Sequence, residues 1–533
     1  MRFFRAGEGW EQLNAGPDTT VSLQRVDLSA LPETERVAAL TEEASKLQAS
    51  LKLSEAPLMR AVLFDLGPGQ PRRLLVVLHH LVVDGVSWRT LLEDVSTGYE
   101  QLRRGEPVTL PPKTTSFKAW AERLEAHAKS EALEAERAFW LSDSRREVRP
   151  LPVDKPGANT SASARNVSIS LDVEETRALL REVPAAYRAR IDDVLLTALA
   201  QALAGWTGER RHLVELEGHG REELFEDVDL SRTVGWFTSV VPVLLEPPAA
   251  SPGTALRAVR DELRRMPNRG IGHGLLRHLG RAETVRELRA LPQAQVLFNY
   301  LGQLDATAAS SPLFGVARES SGANVSARGN RGHLLEVNAL VIEERLRLSW
   351  TYSENVHEQA TIEALAQGFL AALRTLIAQR ATPDALRYTP SDFPLASLEQ
   401  AALDRLLPPG LPIEDVYPLS PMQQGMLFHS IVGASTGEYF QQVAWTFHSL
   451  MDPQAFRRAW EALVDRHPIL RTGFFWRDLA QPLQAVHPRV ELPWYEHDWR
   501  GLPPSEQQAR LDAFLEEDHA QGFDLARPPL MRI

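Results

Sequence analysis

An internal repeat constrains the fold of this chain more than any other feature of its sequence. Three short blocks near the N-terminus recur near the C-terminus, with identical spacing within each block and one residue inserted before the third. The matches are Phe3-Phe4 with Phe474-Phe475, Asp27 and Leu31-Pro32 with Asp498 and Leu502-Pro503, and Pro57-Leu58-Met59-Arg60 with Pro529-Leu530-Met531-Arg532. Because the three blocks stay in order, we interpret them as parts of one structural unit that occurs twice.

The two copies cover different parts of that unit. The second copy has an opening segment, from about Leu411, that the first copy lacks, and it stops before a counterpart of His79-His80 would occur. We therefore expect a first domain that is truncated at its start and a following domain that is truncated at its end.

The order of apolar and polar residues predicts a mixed α/β fold. Apolar runs with the lengths of strands alternate with longer amphipathic stretches that are typical of helices. Segments rich in Pro, Gly and Ser separate these groups and indicate boundaries. The predicted organisation is an N-terminal lobe at 1–155, a second lobe at 165–380, a linker at 381–411, and the first part of a second unit at 412–533.

Composition excludes several classes of protein. The chain of 533 residues has no cysteine, which removes disulfides, thiolate nucleophiles and Cys-ligated zinc. Its formal charge of −12 is spread without long single-sign blocks, so no nucleic-acid surface is expected. No run of eighteen apolar residues and no signal peptide is visible, so we predict a cytoplasmic protein without a membrane span.

The first motif with candidate catalytic residues follows a predicted buried strand. It reads His79-His80-Leu-Val-Val-Asp84-Gly85, with Ser87 two residues later. A histidine at the mouth of a channel, with a pKa near neutrality, suits proton transfer. Asp84 lies in the following turn and can fix its shape, and Ser87 can cap the next helix. The alternative is a hydrogen-bonded pair of structural histidines.

This motif resembles the HHxxxDG signature of the condensation-domain superfamily, which includes condensation, epimerization and cyclization domains of nonribosomal peptide synthetases. The resemblance implies two lobes, each similar to chloramphenicol acetyltransferase, that form a V-shaped pseudo-dimer around a channel, plus the start of a second such unit. It also implies that His80 is catalytic, that Asp84 is chiefly structural, and that His79, Gly85 and Ser87 support the site.

The second motif is Glu217-Gly218-His219-Gly-Arg221-Glu at the end of a predicted strand. Strand alternation places Glu215 and Glu217 on one face, and the glycines permit a tight turn near a ligand. An ordinary solvated strand end is the alternative on spacing alone. The block resembles one that is typical of epimerization domains. This resemblance implies that Glu217 is the second acid/base residue and that Gly218, His219 and Arg221 line the channel.

Two further blocks resemble family motifs. The block Arg-Thr-Val-Gly-Trp236-Phe-Thr reads as a packed strand, and we place Trp236 at the channel. In Phe-Asn299-Tyr300-Leu-Gly, alternation puts the amide on the face opposite the tyrosine, where it could donate to an enolate oxygen. A structural role for Asn299 is the alternative, and Tyr300 is assigned a supporting role. His273 stands where the family commonly has tyrosine, in a tight loop, and we do not expect it to be catalytic.

Together the motifs predict epimerization of the α-carbon of an aminoacyl or peptidyl thioester, with His80 and Glu217 as the catalytic pair. The resemblance implies a substrate carried on the 4′-phosphopantetheine arm of an upstream peptidyl carrier domain, and a downstream condensation domain in the same chain. We expect no bound cofactor and no metal. The alternatives are a condensation domain that forms peptide bonds and a non-catalytic recruitment module of the same fold.

Overall fold

The computed structural model describes residues 1–7, 9–14, 22–303, 315, 317–382, 384–408, 410–432, 439–448 and 451–533. The chain divides into two compact units. Unit 1 comprises Met1–Ala185 and Ala189–Arg380, and unit 2 comprises Ala186–Arg188 and Ala381–Ile533. Within unit 1 we call residues 1–155 the first lobe and residues 165–380 the second lobe, as in the sequence-based division.

The strands of unit 1 alternate with helices, which confirms the predicted mixed α/β class. Its described strands are β1 Arg2–Ala6, β2 Gly9–Leu13, β3 Leu23–Asp27, β4 Met59–Asp65, β5 Arg73–Leu78, β6 Ala164–Ser170, β7 His212–Gly218, β8 Ser239–Leu245, β9 Val296–Gln303, β10 Leu335–Ile342 and β11 Arg345–Ser353. Those of the first lobe form a hairpin β1-β2 and a sheet β3-β4-β5, and those of the second lobe form one sheet in the order β6-β11-β10-β9-β7-β8.

The described α-helices of unit 1 surround these sheets. They are α1 Glu33–Ala49, α2 Gly85–Arg103, α3 Phe117–His127, α4 Glu131–Glu134, α5 Arg137–Trp140, α6 Asp143–Arg146, α7 Val173–Arg177, α8 Val183–Tyr187, α9 Ile191–Thr207, α10 Pro252–Arg265, α11 Ile271–Leu279, α12 Ala282–Arg289 and α13 Gln359–Gln379. Within residues 116–140, Ser116 and Ser130 cap separate helices, because their side chains accept hydrogen bonds from Ala119 N and Leu133 N.

The second-lobe sheet has one apolar face and one polar face. Along β10, burial alternates, with Leu335, Val337, Ala339 and Val341 buried. Helices α9 and α13 pack on this apolar side, and α13 contributes the buried Phe369. Helix α13 is the described helix that is long and apolar enough to cross a membrane by composition alone, but it contributes buried side chains to this packing.

Polar side chains occupy the opposite face of the same sheet. Asn338 pairs in register with Asn299 of β9, and Glu215 of β7 pairs with Leu297. Because paired residues on neighbouring strands point to the same side, Glu215, Glu217, Asn299 and Asn338 share one face. This face is where the sequence placed the predicted acid/base residue.

An irregular segment at 219–238 carries the second lobe onto the first. Its backbone pairs with the first lobe where Thr115 N donates to Asp229 O at 2.9 Å. Arg123 of α3 forms an ion pair with Asp227 at 2.8 Å. The sequence had predicted a strand from Val234, but the strand begins only at Ser239. The backbone before Ser239 is held instead by side chains of the first lobe.

Unit 2 has its own core, and the predicted linker belongs to it. Its described elements are α14 Gln400–Leu406, β12 Asp415–Pro418, α15 Pro421–Val432, α16 Pro453–Arg466, β13 Thr472–Phe475, β14 Leu483–Val486 and α17 Pro504–Gln521, with a sheet in the order β12-β14-β13. Tyr388, Phe393 and Leu403 are buried against Val416 and Leu483. The segment 381–411 is therefore packed structure, because its apolar side chains lie under this sheet.

Two of the three repeated blocks show matching local contacts in both copies. Phe3 N donates to Leu53 O at 2.8 Å, and Phe474 N donates to Leu525 O at 2.8 Å. Pro32 stands at the N-cap of α1, and Pro503 stands at the N-cap of α17. The repeat seen in the sequence is therefore also a repeat of hydrogen bonds and helix starts.

Candidate active site

The two motif histidines lie directly after an edge strand of the first lobe. Strand β5 ends at Leu78, and a 3₁₀ turn covers His80–Val82. The Nδ1 atom of His79 accepts a bond from Leu81 N at 3.2 Å, which fixes this turn. Burial and the neighbouring His80 lower the pKa of His79. His79 thus shapes the turn, while the exposed His80 ring is left at the surface of the lobe.

Asp84 is the N-cap of the helix that follows the histidines. Its Oδ1 accepts from Ser87 N at 2.8 Å, so the cap is Asp84 and not Ser87 as the sequence suggested. Its Oδ2 accepts from Phe237 N of the second lobe at 3.1 Å. Burial alone would raise the pKa of Asp84, but the bonds from Arg221, Ser87 and Phe237 hold its pKa below the ordinary value.

Arg221 forms a buried ion pair with Asp84 and does not present a free guanidinium to a channel. Its Nη1 lies 2.7 Å from Asp84 Oδ2, and the side chains are 10% and 3% exposed. Its Nη2 also donates to Ser87 Oγ and to Thr233 O, and the guanidinium stacks on Phe237 at 4.0 Å. The assignment of Arg221 to a substrate channel is therefore corrected: it joins the two motifs.

Ser87 completes this junction. Its Oγ donates to Gly235 O at 3.0 Å and accepts from Gly235 N at 3.1 Å. Gly85 opens α2 with open space beside its Cα. Because Asp84 and Ser87 hold the backbone of residues 235–237, this stretch cannot pair as a strand, which explains the late start of β8.

The glycine between His219 and Arg221 is required by a close backbone approach. Gly220 has φ +64°, and a Cβ there would lie 1.6 Å from Phe237 O. At Gly218 a Cβ would meet only the Ser239 hydroxyl at 3.1 Å. The turn thus brings Arg221 back toward Asp84 along a path that an L side chain would block.

Replacing Gly220 by alanine is expected to destabilise unit 1 by at least about 1–3 kcal/mol, because the new methyl group overlaps a carbonyl in a left-handed conformation. Gly218→Ala is the matched control and is expected to cost less. Urea denaturation of the two variants measures the difference. Equal losses for both would contradict the steric account.

Glu217 lies on the polar face of β7 within the electrostatic field of His80. Burial raises the pKa of Glu217, and the charge of His80 offsets part of this rise. His80 comes from the first lobe and Glu217 from the second, and both are side chains that can exchange protons. Trp236, 44% exposed, lies 5.4 Å from the His80 ring, tilted by 59°.

The raised pKa of Glu217 predicts a pH-dependent effect on stability. Below the ordinary carboxyl pKa of 4.5, Glu217 is protonated in both folded and unfolded chains. As the pH rises through the folded-state pKa, the unfolded chain ionises more easily, and stability is lost. Glu217→Gln is therefore expected to have a larger free energy of unfolding than the wild type at pH 7 and an equal one below pH 4.5. Urea denaturation at a series of pH values measures this difference.

Asn299 and Tyr300 separate onto opposite faces of β9. Asn299 shares the polar face with Glu217, as alternation predicted. Tyr300 lies on the other face, where burial and then the charge of Asp192 at the start of α9 raise its pKa. A direct supporting role for Tyr300 at the acid/base pair does not fit this placement.

The contacts of His219 and His273 indicate structural roles. The Nδ1 atom of His219 accepts from Arg221 N at 3.0 Å, so the half-exposed ring closes the turn. His273 lies in α11, buried, with its ring 5.0 Å from Trp140. Within the described ranges no group of three or more His, Asp or Glu side chains is placed to hold a metal ion.

Comparison with known proteins places these features in a family. The Condensation domain profile matches residues 1–398 and 413–533. The chain belongs to the condensation-domain family. Over 100% of its own length it is 51% identical to one component protein of the linear gramicidin synthase of Brevibacillus parabrevis and 47% identical to another. It spans 7% and 10% of those two proteins, so it corresponds to a condensation-family part of a nonribosomal peptide synthetase.

A solved structure supports the fold of unit 1. The crystal structure of the epimerization domain from the third module of tyrocidine synthetase B is similar with a TM-score of 0.66 and 34% identity. The similarity covers 71% of this chain and 85% of that domain. The expected condensation-domain fold is therefore confirmed.

Proposed function

We propose that unit 1 epimerizes the α-carbon of an aminoacyl or peptidyl thioester that is carried on a phosphopantetheine arm. The observation that supports the proposal is the partly buried Glu217, whose pKa is raised by burial and which interacts electrostatically with His80. The similarity to a solved epimerization domain supports the same assignment.

The proposed reaction needs two proton-transfer groups. Inversion removes the α-proton from one face of the carbon and delivers a proton to the other face, and the thioester carbonyl holds the charge in between. A carboxyl group whose pKa moves toward that of a histidine can give and take protons in turn. The two residues would exchange roles when the reaction runs from the D to the L form.

The enolate oxygen needs a hydrogen-bond donor. The amide of Asn299 lies on the same sheet face as Glu217, so it is the candidate donor from the second lobe. Trp236 packs near the edge of the His80 ring and would limit the orientations that the imidazole adopts. Both residues are positioned to assist without exchanging protons themselves.

The partners follow from the same proposal. An upstream carrier domain would deliver the thioester to unit 1. Unit 2 matches the condensation family from residue 413 onward, and we propose that it begins the condensation domain that uses the product. Peptide-bond formation by unit 1 is the competing activity, since it would use the same histidine.

Deuterium exchange separates these activities. The full chain is mixed in D₂O with a panel of L-aminoacyl phosphopantetheine thioesters, and deuterium at the α-carbon is measured by mass spectrometry. An epimerase is expected to introduce deuterium and to produce a D and L mixture. A domain that only condenses leaves the α-proton in place, and that result with every thioester would refute the proposal.

A further inference from the structure

A cavity of about 150 Å³ lies between the two lobes of unit 1, beside β7. The first lobe contributes Trp140 of α5 and Arg145 of α6, and the second lobe contributes Glu215, His273 and Arg277. A cavity of about this volume holds a molecule of benzene size in another protein. Its lining mixes apolar residues with five polar or charged ones, so an occupant with polar atoms is expected.

Arg145 enters this cavity as a buried cation with few partners. The residue is 4% exposed, and its guanidinium stacks on Trp140 at 5.1 Å. Its Nη1 donates to Pro242 O at 2.9 Å, and no other hydrogen bond from this guanidinium is found among the described residues. A guanidinium has five N–H donors, so donors of Arg145 remain that could bond a ligand in the cavity.

Two more side chains offer donors to the same space. Arg277 donates to Leu288 O at 2.8 Å, which is the one hydrogen bond of its guanidinium within the described part of the chain. Burial, then the charges of Arg277, Arg145 and His278, lower the pKa of His273 to about 3. His273 is therefore neutral near pH 7, and its ring nitrogens bond no described residue.

The acidic residue of the lining is already occupied. Glu215 Oε2 lies 2.6 Å from Nε2 of His333. This carboxylate therefore bonds His333 and forms no ion pair with Arg145 or Arg277 among the described residues. The cavity thus combines two guanidinium groups and a neutral imidazole with one engaged carboxylate. Among the lining residues the two guanidinium groups outnumber the one carboxylate, and Glu262, outside the lining, adds a favourable negative charge near Arg145.

We propose that this cavity binds a small oxyanion, with the Arg145 and Arg277 guanidinium groups and the His273 imidazole as its donors. Planar guanidinium groups match carboxylate and phosphate oxygens, and charge-assisted bonds of this kind are strong where water is excluded. The site lies two residues along β7 from Glu217, on the same face. The proposal does not depend on the proposed epimerization.

The test is calorimetric titration of the full chain with sodium phosphate and, separately, with sodium acetate, each against sodium chloride at equal ionic strength. Phosphate or acetate is expected to bind saturably, and whichever of the two binds more tightly identifies the ligand chemistry. Arg277→Gln and Arg145→Gln are expected to weaken binding at least tenfold. His273→Tyr is expected to weaken it by a similar factor, because the substitution removes the imidazole donor and the larger ring takes up part of the cavity without changing the charge.

Arg286→Gln is the matched control, since this exposed arginine of α12 lies outside the lining and its binding should equal that of the wild type. Circular dichroism checks each variant. If Arg145→Gln is unfolded, His273→Tyr and Arg277→Gln decide the matter. Absence of saturable binding of either oxyanion, or unchanged binding in His273→Tyr and Arg277→Gln, would overturn the proposal.

Discussion

Replacing Glu217 by glutamine is expected to slow α-carbon deuterium exchange by at least about a hundredfold, because a positioned acid/base group contributes about 10²–10⁴ to rate. The substitution keeps the size and polarity of the side chain and removes only its ability to take a proton. Since burial already penalises the carboxylate, the variant should fold at least as well as the wild type. A lower rate would then reflect chemistry and not unfolding.

Two further variants make this result specific. His80→Ala is expected to abolish exchange, since it removes the other proton-transfer group. Glu215→Gln changes the neighbouring carboxylate on the same face, which is paired with His333, and is expected to keep most of the activity. Near wild-type exchange by Glu217→Gln would mean that His80 acts alone or with water, and the two-residue mechanism would be wrong.

The strands and helices of the second lobe were largely predictable because burial there follows simple alternation. Strand β10 shows the expected period of two, and Glu215 and Glu217 lie on one face of β7 as alternation predicted. Asn299 and Tyr300 separated as that period requires. Local patterning was sufficient wherever a strand is packed on one side.

The same approach failed where contacts between lobes decide the backbone. Residues 234–238 have the composition of a strand, but Asp84 and Ser87 hold their backbone, and pairing begins only at Ser239. Ser87 looked like a helix cap, yet its hydroxyl bonds Gly235 and the cap is Asp84. Neither the late start of β8 nor the bonding of the Ser87 hydroxyl can be predicted from the local sequence, because each depends on residues that are distant in the chain.

The role of Arg221 was missed for the same reason, although one signal was available. Arg221 directly follows Gly220 and Asp84 directly precedes Gly85, so each motif places a charge of opposite sign beside a glycine, which suggests that they pair. The cavity at Arg145 had no such signal. It arises from the packing of α5 and α6 against β7 and α11, and only the structure brings those side chains together.

Breaking the Asp84–Arg221 pair is expected to cost the most stability of any single substitution proposed for this site. Asp84→Asn keeps a good helix cap but leaves Arg221 buried without a counter-charge, at a cost of about 3–5 kcal/mol. Arg221→Met likewise leaves the carboxylate of Asp84 buried without a counter-charge. Because both single variants leave one charge unpaired, the double variant should lose less than the sum of the two.

Asp94→Asn is the matched control, since Asp94 pairs with Arg232 at the same junction but both side chains are partly exposed. Its loss should be about 0–1 kcal/mol, as for other surface pairs. Urea denaturation gives the stabilities, and deuterium exchange under conditions where every variant is folded gives the activity.

Asp84→Asn should lower exchange as well, because Asp84 caps the helix that follows the His80 turn and binds the segment that carries Trp236. Additive losses in the double variant would show that the two charges do not act as a pair, and the junction would then depend on packing against Phe237 instead.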